Sequence, residues 1–262
     1  MDALKARLRR AIRAFRSAPE HPRTRGVDQA NNVTYNRDFW DWYAERWQDP
    51  AFRATNADAP EEIPHFQTLG DEWGRRRDVE AIVAEFILPF VGRDRVVGEI
   101  GCGGGRVARQ VAEHVKCLYC FDVSPRMLDQ ARQVVPADRA RFVLLEEAHL
   151  PAELTGELDF IYAFDVFLHL DLYVMWRYFQ EMTRVLRPGG HAFVHTANLT
   201  SELGWQNFTK FEQYRVETHF YVSPETVRTM ADRAGLRTVR EATPDPSNFY
   251  LARDYLAVLE KP

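Results

Sequence analysis

The stretch Val96–Arg106, with the sequence VVGEIGCGGGR, decides the fold of this 262-residue chain. A short apolar run leads to the acidic Glu99, and glycines then stand at the alternate positions Gly101, Gly103 and Gly105. Glycine adopts positive φ without strain and lets a ligand approach the bare backbone. A helix after these glycines would add unpaired N–H groups and the positive end of its dipole. The stretch therefore predicts a strand, a tight loop that binds a nucleotide-like cofactor, and a helix.

Strands and helices alternate on both sides of this loop. The length of the chain and its 45% hydrophobic content suit one well-filled domain with additions. The alternation predicts a doubly wound, Rossmann-like α/β fold with a seven-stranded, mainly parallel sheet and an N-terminal helical cap. We expect strands near residues 95–100, 117–122, 141–146, 158–164, 191–196, 236–242 and 249–259, and helices near 106–115, 124–134, 172–186 and 223–234.

Two aromatic segments lie outside this alternation. The first predicts a helical cap or lid, with Asp38 as a plausible N-terminal residue and Pro50 at its end. A further helix is expected from about residue 75 to 89. The second segment, residues 197–222, is an insertion before the last helix. The aromatic residues that recur every four positions in the first segment are Tyr35, Phe39, Tyr43 and Trp47.

Charge is distributed unevenly along the chain. Residues 1–26 carry eight Lys or Arg and two acids, which gives a charge of +6. The net charge of the whole chain is −4, so the other residues together carry −10. Apolar residues at helical spacing in this basic arm (residues 1–30) are compatible with peripheral contact with an anionic membrane surface, but a solvated terminal helix or a frayed arm is the favoured interpretation. A solvated terminal helix and a mitochondrial presequence have similar compositions. The acidic remainder has no second basic patch, which argues against nucleic acid as a partner.

The sequence predicts a cytoplasmic protein, with peripheral membrane contact left open. It has no apolar run near the roughly 20 residues of a membrane span and no signal-peptide core. Its three cysteines are too few for a disulfide framework, which suits a reducing compartment. Cys117 and Cys120 form a C-x-x-C inside a predicted strand, where alternation turns them to opposite faces, so we interpret them as packing residues. Because no Asp, Glu and His cluster has metal-ligand spacing, we predict no metal.

The glycine loop alone fits two cofactors. The pattern Gly103-x-Gly105-x-x-Ala108 satisfies the dinucleotide fingerprint, so an NAD-dependent oxidoreductase is a competitor. Counting from Gly101, the turn glycine at the strand end, instead puts Arg106 where that fingerprint needs Gly or Ala. The carboxylate of Glu99 repels phosphates but suits an ammonium or sulfonium ligand. These neighbours favour a cationic cofactor.

The motifs that follow the loop make the chain resemble the class I S-adenosylmethionine-dependent methyltransferases of the small-molecule type. The resemblance covers roughly residues 78–262, which would form the cofactor-binding domain, after a cap at 31–77 and with 197–222 as the acceptor-site insertion. The matching motifs, in chain order, are Glu99-Ile-Gly-Cys-Gly-Gly-Gly105, Asp122-Val-Ser-Pro125 with Met127-Leu128, Glu146-Glu-Ala-His-Leu-Pro151, Leu158–Leu170 and Val185-Leu-Arg-Pro-Gly-Gly190.

The resemblance implies a set of cofactor-binding residues. The glycine loop would hold the methionine moiety of S-adenosylmethionine, with Glu99 near its amino group. Asp122 would accept both ribose hydroxyls, and Glu146, or Glu147 in a shifted register, would lie near the adenine. Aromatic faces can stabilise a sulfonium, so Tyr43 and Trp73 are candidates to cover it. The other candidates for cofactor binding are Gly101, Gly103, Gly105, Arg106, Val123, Met127, Phe164 and Asp165.

Methyl transfer should occur where the fourth strand ends, beside Asp165 and His169. An in-line displacement needs an aligned nucleophile roughly 3 Å from the methyl carbon. A hydroxyl acceptor also benefits from a general base, and histidine is the usual residue. His169 is the first candidate, and His195 and His219 are the second candidates. Several histidines near the site favour an oxygen acceptor in a small molecule.

Three alternatives stay open from the sequence. The enzyme could act at a membrane on a lipid, quinone or glycolipid, it could bind its cofactor without catalysis, or it could be the NAD-dependent oxidoreductase. No asparagine-proline-proline-aromatic tetrapeptide follows the fourth strand, which weakens an amino-group or nucleobase acceptor.

Overall fold

The computed structural model describes residues 32–262, so the basic arm and its predicted membrane contact lie outside the described residues. Within this range eight strands form one sheet. They are β1 (Val96–Ile100), β2 (Cys117–Asp122), β3 (Ala140–Leu144), β4 (Leu158–Ala163), β5 (Leu186–Asn198), β6 (Tyr221–Val222), β7 (Arg237–Glu241) and β8 (Asp254–Glu260).

The sheet is doubly wound. Its strand order is β3-β2-β1-β4-β5-β8-β7, and β6 pairs with the end of β5. The pairs among β1 to β6 are parallel, whereas β8 runs antiparallel to both β5 and β7. The strand order reverses between β1 and β4, where the carboxyl ends of parallel strands open a crevice. The fold class predicted from the sequence is confirmed, and β6 is an additional short strand.

Helices pack on both faces of the sheet. In β4, Phe160 and Tyr162 join one core cluster while Ile161 and Ala163 join the other, as expected for a strand buried on both sides. The α-helices of the described part are α1 (Asn32–Arg46), α2 (Pro50–Asn56), α3 (Arg76–Ile82), α4 (Ala108–Val111), α5 (Pro125–Val134), α6 (Leu172–Val185), α7 (Glu202–Phe208), α8 (Pro224–Arg233) and α9 (Phe249–Arg253).

The cap helix differs from its sequence prediction at both ends. Helix α1 already includes Asn32, so Asp38 lies inside the helix rather than at its start. Pro50 begins α2 instead of ending α1, because the Asp49 side chain accepts the hydrogen bond that caps α2.

The predicted last strand, residues 249–259, is a helix followed by a strand. The Asn248 side chain accepts hydrogen bonds from the backbone N–H groups of Tyr250 and Leu251, at 3.0 and 3.4 Å, and so starts α9. Strand β8 begins only at Asp254. The helix after the glycine loop is also shorter than predicted, because α4 begins at Ala108 and has four residues.

Candidate active site

A cavity opens at the carboxyl ends of β1, β2 and β4, where the sheet reverses its order. The empty space between its protein atoms, including the open mouth, is about 610 Å³. Strand-end loops form one side, and α1 with Trp73 forms the other. The lining residues are Val33, Asn36, Trp40, Trp73, Ile100, Gly101, Gly103, Asp122, Val123, Met127, Leu145, Asp165, Val166, His169, Leu170 and Tyr178.

The glycine loop contributes a bare backbone surface to this cavity. Gly101 and Gly103 adopt positive φ, +66° and +52°. A Cβ at Gly101 would lie 2.5 Å from a methyl group of Val166, so only glycine fits there. A Cβ at Gly103 would meet no atom within 4 Å. The loop therefore forms a cradle whose open side, at Gly103, has room for a ligand.

Asp122, the last residue of β2, holds this cradle in place. Its Oδ2 accepts the Gly103 N–H and its Oδ1 accepts the Ser124 N–H, both at 2.8 Å. Burial raises the pKa of Asp122 to about 6, although these backbone donors oppose the shift. At neutral pH the group is thus mostly a carboxylate, whose remaining lone pairs can accept two vicinal hydroxyls. The residues at this position fit the ribose of S-adenosylmethionine.

Glu99 lies in β1 and is not among the lining residues. The Tyr162 hydroxyl donates to its Oε2 at 2.9 Å. Burial raises the pKa of Glu99 to about 8, so the side chain is mostly protonated at neutral pH. Its contact with the amino group of a cofactor stays a prediction.

A buried ion pair joins the glycine loop to the end of β4. Arg106 donates to Asp165 Oδ2, which also accepts the Tyr250 hydroxyl at 3.1 Å. Burial alone would raise the pKa of Asp165, but the positive charge of Arg106 outweighs burial and lowers it. Asp165 also has a φ of +60°, which is strained for a residue with a side chain. The pair holds this strained residue in the cavity wall.

His195, a candidate base, lies behind that wall. It is fully buried, and its Nδ1 accepts the backbone N–H of Asp165 at 3.1 Å. Its Nε2 lies 2.9 Å from Asp254 Oδ2, but not in line for a hydrogen bond. Since His195 is not among the lining residues, the structure gives it a positioning geometry rather than access to an acceptor.

His169 is the histidine that lines the cavity. Its Nδ1 lies 2.6 Å from the Val216 carbonyl oxygen, so Nδ1 carries the proton and Nε2 has the lone pair. Burial lowers the pKa of His169 to about 4, which keeps the ring neutral. Trp40 packs edge-on against it, with ring centroids 5.0 Å apart. The side chain is thus fixed in one tautomer beside the cavity.

His219, the third candidate base, lies behind His169 and is not among the lining residues. The two ring centroids are 5.4 Å apart. Its φ is +67°, and burial followed by the charge of Arg253 lowers the pKa of His219.

Glu72, which was not predicted from the sequence to have a role, links helix α1 to the turn that carries Gly70 and Trp73. It is fully buried and accepts hydrogen bonds from the Tyr43 hydroxyl, Trp47 Nε1 and the Gly70 N–H. Trp73 Nε1 donates in turn to the Tyr43 oxygen at 2.9 Å. Trp73 lines the cavity, whereas Tyr43 is buried behind it. The network fixes the orientation of Trp73 over the site.

Arg37 fastens α1 over the loops that follow β2 and β3, and it too was missed. Its Nε donates to the Val123 carbonyl at 2.9 Å, and its Nη2 donates to the carbonyls of Leu145 and Glu146 at 3.0 and 2.9 Å. On the β4 side, Asn36 Nδ2 donates to the His169 carbonyl at 3.0 Å. Helix α1 is therefore a roof bonded to three strand-end loops.

The other predicted cofactor residues occupy different places. Val123 and Met127 line the cavity. Gly105 does not, and a Cβ there would lie 3.0 Å from side chains at the end of α5, so this glycine permits close packing. The side chains of Glu146 and Glu147 are exposed and are not among the lining residues. Phe164 stacks on His195 with ring centroids 5.0 Å apart, behind the wall.

Within residues 32–262, no group of three or more His, Cys, Asp or Glu side chains is arranged so that it could hold a metal ion. The same range contains no helix of the length and apolarity needed to cross a membrane.

Comparison with known proteins assigns this site to a family. Residues 98–194, which include the glycine loop, Asp122 and His169, match the model of the methyltransferase domain family. The magnesium protoporphyrin IX methyltransferase of Synechocystis, solved with bound S-adenosylhomocysteine, superposes with a TM-score of 0.62 at 15% identity, over 88% of this chain and 100% of that one. A methyltransferase of Haloferax volcanii, solved with the activator Trm112, gives 0.62 at 16% identity, over 86% and 97%.

Residues 98–194 thus carry a methyltransferase domain, and the chain has the fold of solved S-adenosylmethionine-dependent methyltransferases. The family and the cofactor predicted from the sequence are confirmed, and this decides between the two cofactors that the glycine spacing left open.

Two curated relatives match over part of their length. The bifunctional biotin-biosynthesis protein BioCD of Bordetella avium is 30% identical over 166 residues, which are 60% of this chain and 33% of that protein. The bifunctional protein BioHC of Cellvibrio japonicus is 26% identical over 173 residues, 63% of this chain and 32% of that protein. The chain therefore spans about a third of the length of these relatives.

Proposed function

We propose that this protein transfers the methyl group of S-adenosylmethionine to a hydroxyl oxygen of a small molecule, with His169 as general base. The observation that carries the proposal is the tautomer of His169. Its Nδ1–H is committed to the Val216 carbonyl, so the Nε2 lone pair is free to take a proton at the cavity wall.

Bound S-adenosylmethionine supplies a methyl group made electrophilic by its sulfonium. The residues around the cavity orient the two reactants. Asp122 and Gly103 would fix the cofactor through ribose and backbone contacts, and Trp73 would cover it. Asp165, locked by Arg106 and Tyr250, keeps the opposite wall rigid. Such positioning can supply several kcal/mol of the barrier.

The lowered pKa of His169 is compatible with this chemistry. As the acceptor oxygen bonds to the methyl carbon, the C–S electron pair would leave with sulfur, and positive charge would grow on the oxygen. This charge would make the hydroxyl proton acidic enough for Nε2 to take it in the same step, although burial lowers the pKa of His169 to about 4. Removal of the proton in the transition state would limit the charge on the oxygen and leave a neutral methyl ether.

Replacing His169 by Asn tests the role of the base. An Asn amide can keep the hydrogen bond to the Val216 carbonyl but offers no basic nitrogen. We expect kcat for a hydroxyl acceptor, found in a panel by release of S-adenosylhomocysteine, to fall about 10²- to 10⁴-fold. The affinity for S-adenosylmethionine, measured by calorimetry, should stay unchanged.

His149→Asn is the control, because His149 is an exposed histidine outside the cavity lining. We expect it to leave kcat unchanged. A large loss in His219→Asn, with kcat kept in His169→Asn, would transfer the role of base to His219. Tight cofactor binding without methylation of any acceptor would instead support a binding protein without catalysis.

A second candidate function is methylation of a lipid or quinone at a membrane surface. The +6 charge of residues 1–26 supports it, since basic segments are attracted to anionic lipid.

A further inference from the structure

A chain of aromatic side chains leads from the cavity to the surface of the 197–222 insertion. Starting at Trp40, consecutive ring centroids are 5.0, 5.4, 6.1, 5.6 and 5.7 Å apart. The outer end is open, because Trp205 is 52% and Phe208 44% exposed. We call these rings the aromatic track, which consists of Trp40, His169, His219, Tyr221, Phe208 and Trp205.

A buried guanidinium lies beside this track with one edge open. Arg253 is 6% exposed, and its Nε and Nη2 donate to Asp254 at 2.7 and 2.6 Å. The guanidinium stacks on Phe249, 4.4 Å from the ring centroid. Its third nitrogen, Nη1, makes no hydrogen bond within residues 32–262 and is not among the buried side-chain atoms that lack a partner, so it keeps contact with the solvent. This edge of the guanidinium is therefore open to an anionic ligand.

The pairing of the strands places Arg253, the residue before β8, close to the segment that carries Tyr221. Ala197 in β5 pairs with Tyr221 of the track on one side and with Asp254 on the other. The Ser201 hydroxyl, at the start of α7, donates to the Arg253 carbonyl. The guanidinium is therefore held between the start of β8 and the insertion that carries the outer rings.

A second cation, Lys210, stands two residues after α7, whose N-cap Ser201 donates to the Arg253 carbonyl. Its Nζ donates to the Asn207 side chain, and burial followed by the charge of Arg253 lowers the pKa of Lys210. An anion bound between two nearby cations offsets the electrostatic repulsion between them.

The carboxylates whose charges reach Arg253 in the described part of the chain are Asp254, Asp165 and Asp58. Asp254 takes the other edge of Arg253, Asp165 pairs with Arg106, and Asp58 forms no ion pair with Arg253, so none of them bonds to Nη1.

From these observations we infer that the methyl acceptor is an elongated, ring-containing molecule with an anionic group, which Arg253 and Lys210 bind while its rings lie along the aromatic track. Its reacting hydroxyl would be at the inner end, beside His169. The inference rests on the proposed function, since it assigns the track to the acceptor.

A matched pair of probes tests this inference without methyl transfer. Naphthalene-2-carboxylate and naphthalene-2-carboxamide share one aromatic body and differ in charge. We expect calorimetry on the full chain, saturated with S-adenosylhomocysteine, to show about tenfold or tighter binding of the carboxylate, as for charge-assisted hydrogen bonds. Equal binding of the two probes, or binding of neither, would overturn the inference.

Variants assign the contacts. Arg253→Lys keeps a positive charge beside Asp254 but removes the guanidinium edge, and Lys210→Met removes the exposed cation. Each should weaken the carboxylate several-fold to tenfold and leave the carboxamide unchanged. Trp205→Ala should weaken both probes alike. Arg233→Met, on the exposed face of α8, is the control and should change neither probe. A carboxylate preference that survives Arg253→Lys and Lys210→Met together would contradict the assignment.

The two proposals fail differently. A chain that prefers the carboxylate probe but methylates no hydroxyl keeps the anionic subsite and loses the proposed reaction. A chain that methylates neutral hydroxyl compounds through His169 and ignores the probe charge keeps the reaction and loses the subsite.

Discussion

Asp122 is the residue on which cofactor affinity should depend most strongly. Its carboxylate holds the glycine cradle and would accept the ribose hydroxyls. We expect Asp122→Ala to weaken the affinity for S-adenosylhomocysteine by roughly 1.5–3 kcal/mol, the cost of losing hydrogen bonds to a charged group. Titration calorimetry measures the loss. Glu153→Ala, an exposed acid on another loop, should have no effect.

The same residue should make cofactor binding depend on pH. Burial raises the pKa of Asp122 to about 6, and the ligand prefers the ionised carboxylate. Affinity should therefore be constant well above pH 6 and fall as pH decreases through this value. Asp122→Asn should abolish the dependence, and an unchanged pH profile in that variant would assign it to another group.

At the residue scale, sequence alone predicts side chains whose meaning lies in a local motif. Asp122 follows a strand and precedes a helix start, and the structure places it at the cavity. Arg37 carries no such local signal, because its first carbonyl partner, on Val123, is 86 positions away in the chain. Glu72 was not predicted for the same reason, because its partners Tyr43 and Trp47 are also distant in the chain. The unpaired edge of Arg253 can be recognised only once its neighbours are known.

At the element scale, the roof helix α1 depends on one arginine. We expect Arg37→Met to loosen α1 because three hydrogen bonds to strand-end carbonyls disappear. Hydrogen exchange of residues 32–46 should become faster, and cofactor affinity should fall about tenfold.

Arg46→Met is the control for this change. Arg46 lies in the same helix, but its guanidinium bonds to the Trp42 carbonyl of α1 itself. Its replacement should leave exchange in the N-terminal half of α1 unchanged. Equal loosening in the two variants would show that α1 is held by its apolar face rather than by Arg37.

The sequence predicts an element well where the burial of apolar residues determines its structure. It predicts an element poorly where a single capping side chain determines it. The apolar run of β4 is buried along its whole length, so hydrophobicity alone identifies it. The aromatic residues that begin α9 resemble a strand, but the Asn248 side chain commits them to a helix. A single polar residue thus outweighs the β propensity of its neighbours.

For the whole molecule, the order of motifs was enough to predict the sheet, because each strand end carries its own signature.

The uneven distribution of charge along the chain gives a further prediction at the scale of the whole molecule. We expect deletion of residues 1–26 to abolish sedimentation of the protein with anionic lipid vesicles, since it removes a net charge of +6. The truncated chain should bind S-adenosylmethionine as before. Sedimentation equal to that of the full chain would dismiss the membrane-bound candidate.

The bonds that fasten α1 across three loops also have a kinetic consequence. A product enclosed beneath this roof departs only after those bonds open, so its residence time is set by the helix and not by the bond-making step. At saturating acceptor, turnover would then report the opening rate of α1. Loosening the roof would speed the departure of S-adenosylhomocysteine even as it weakens binding, and a poorer binder could become the faster enzyme.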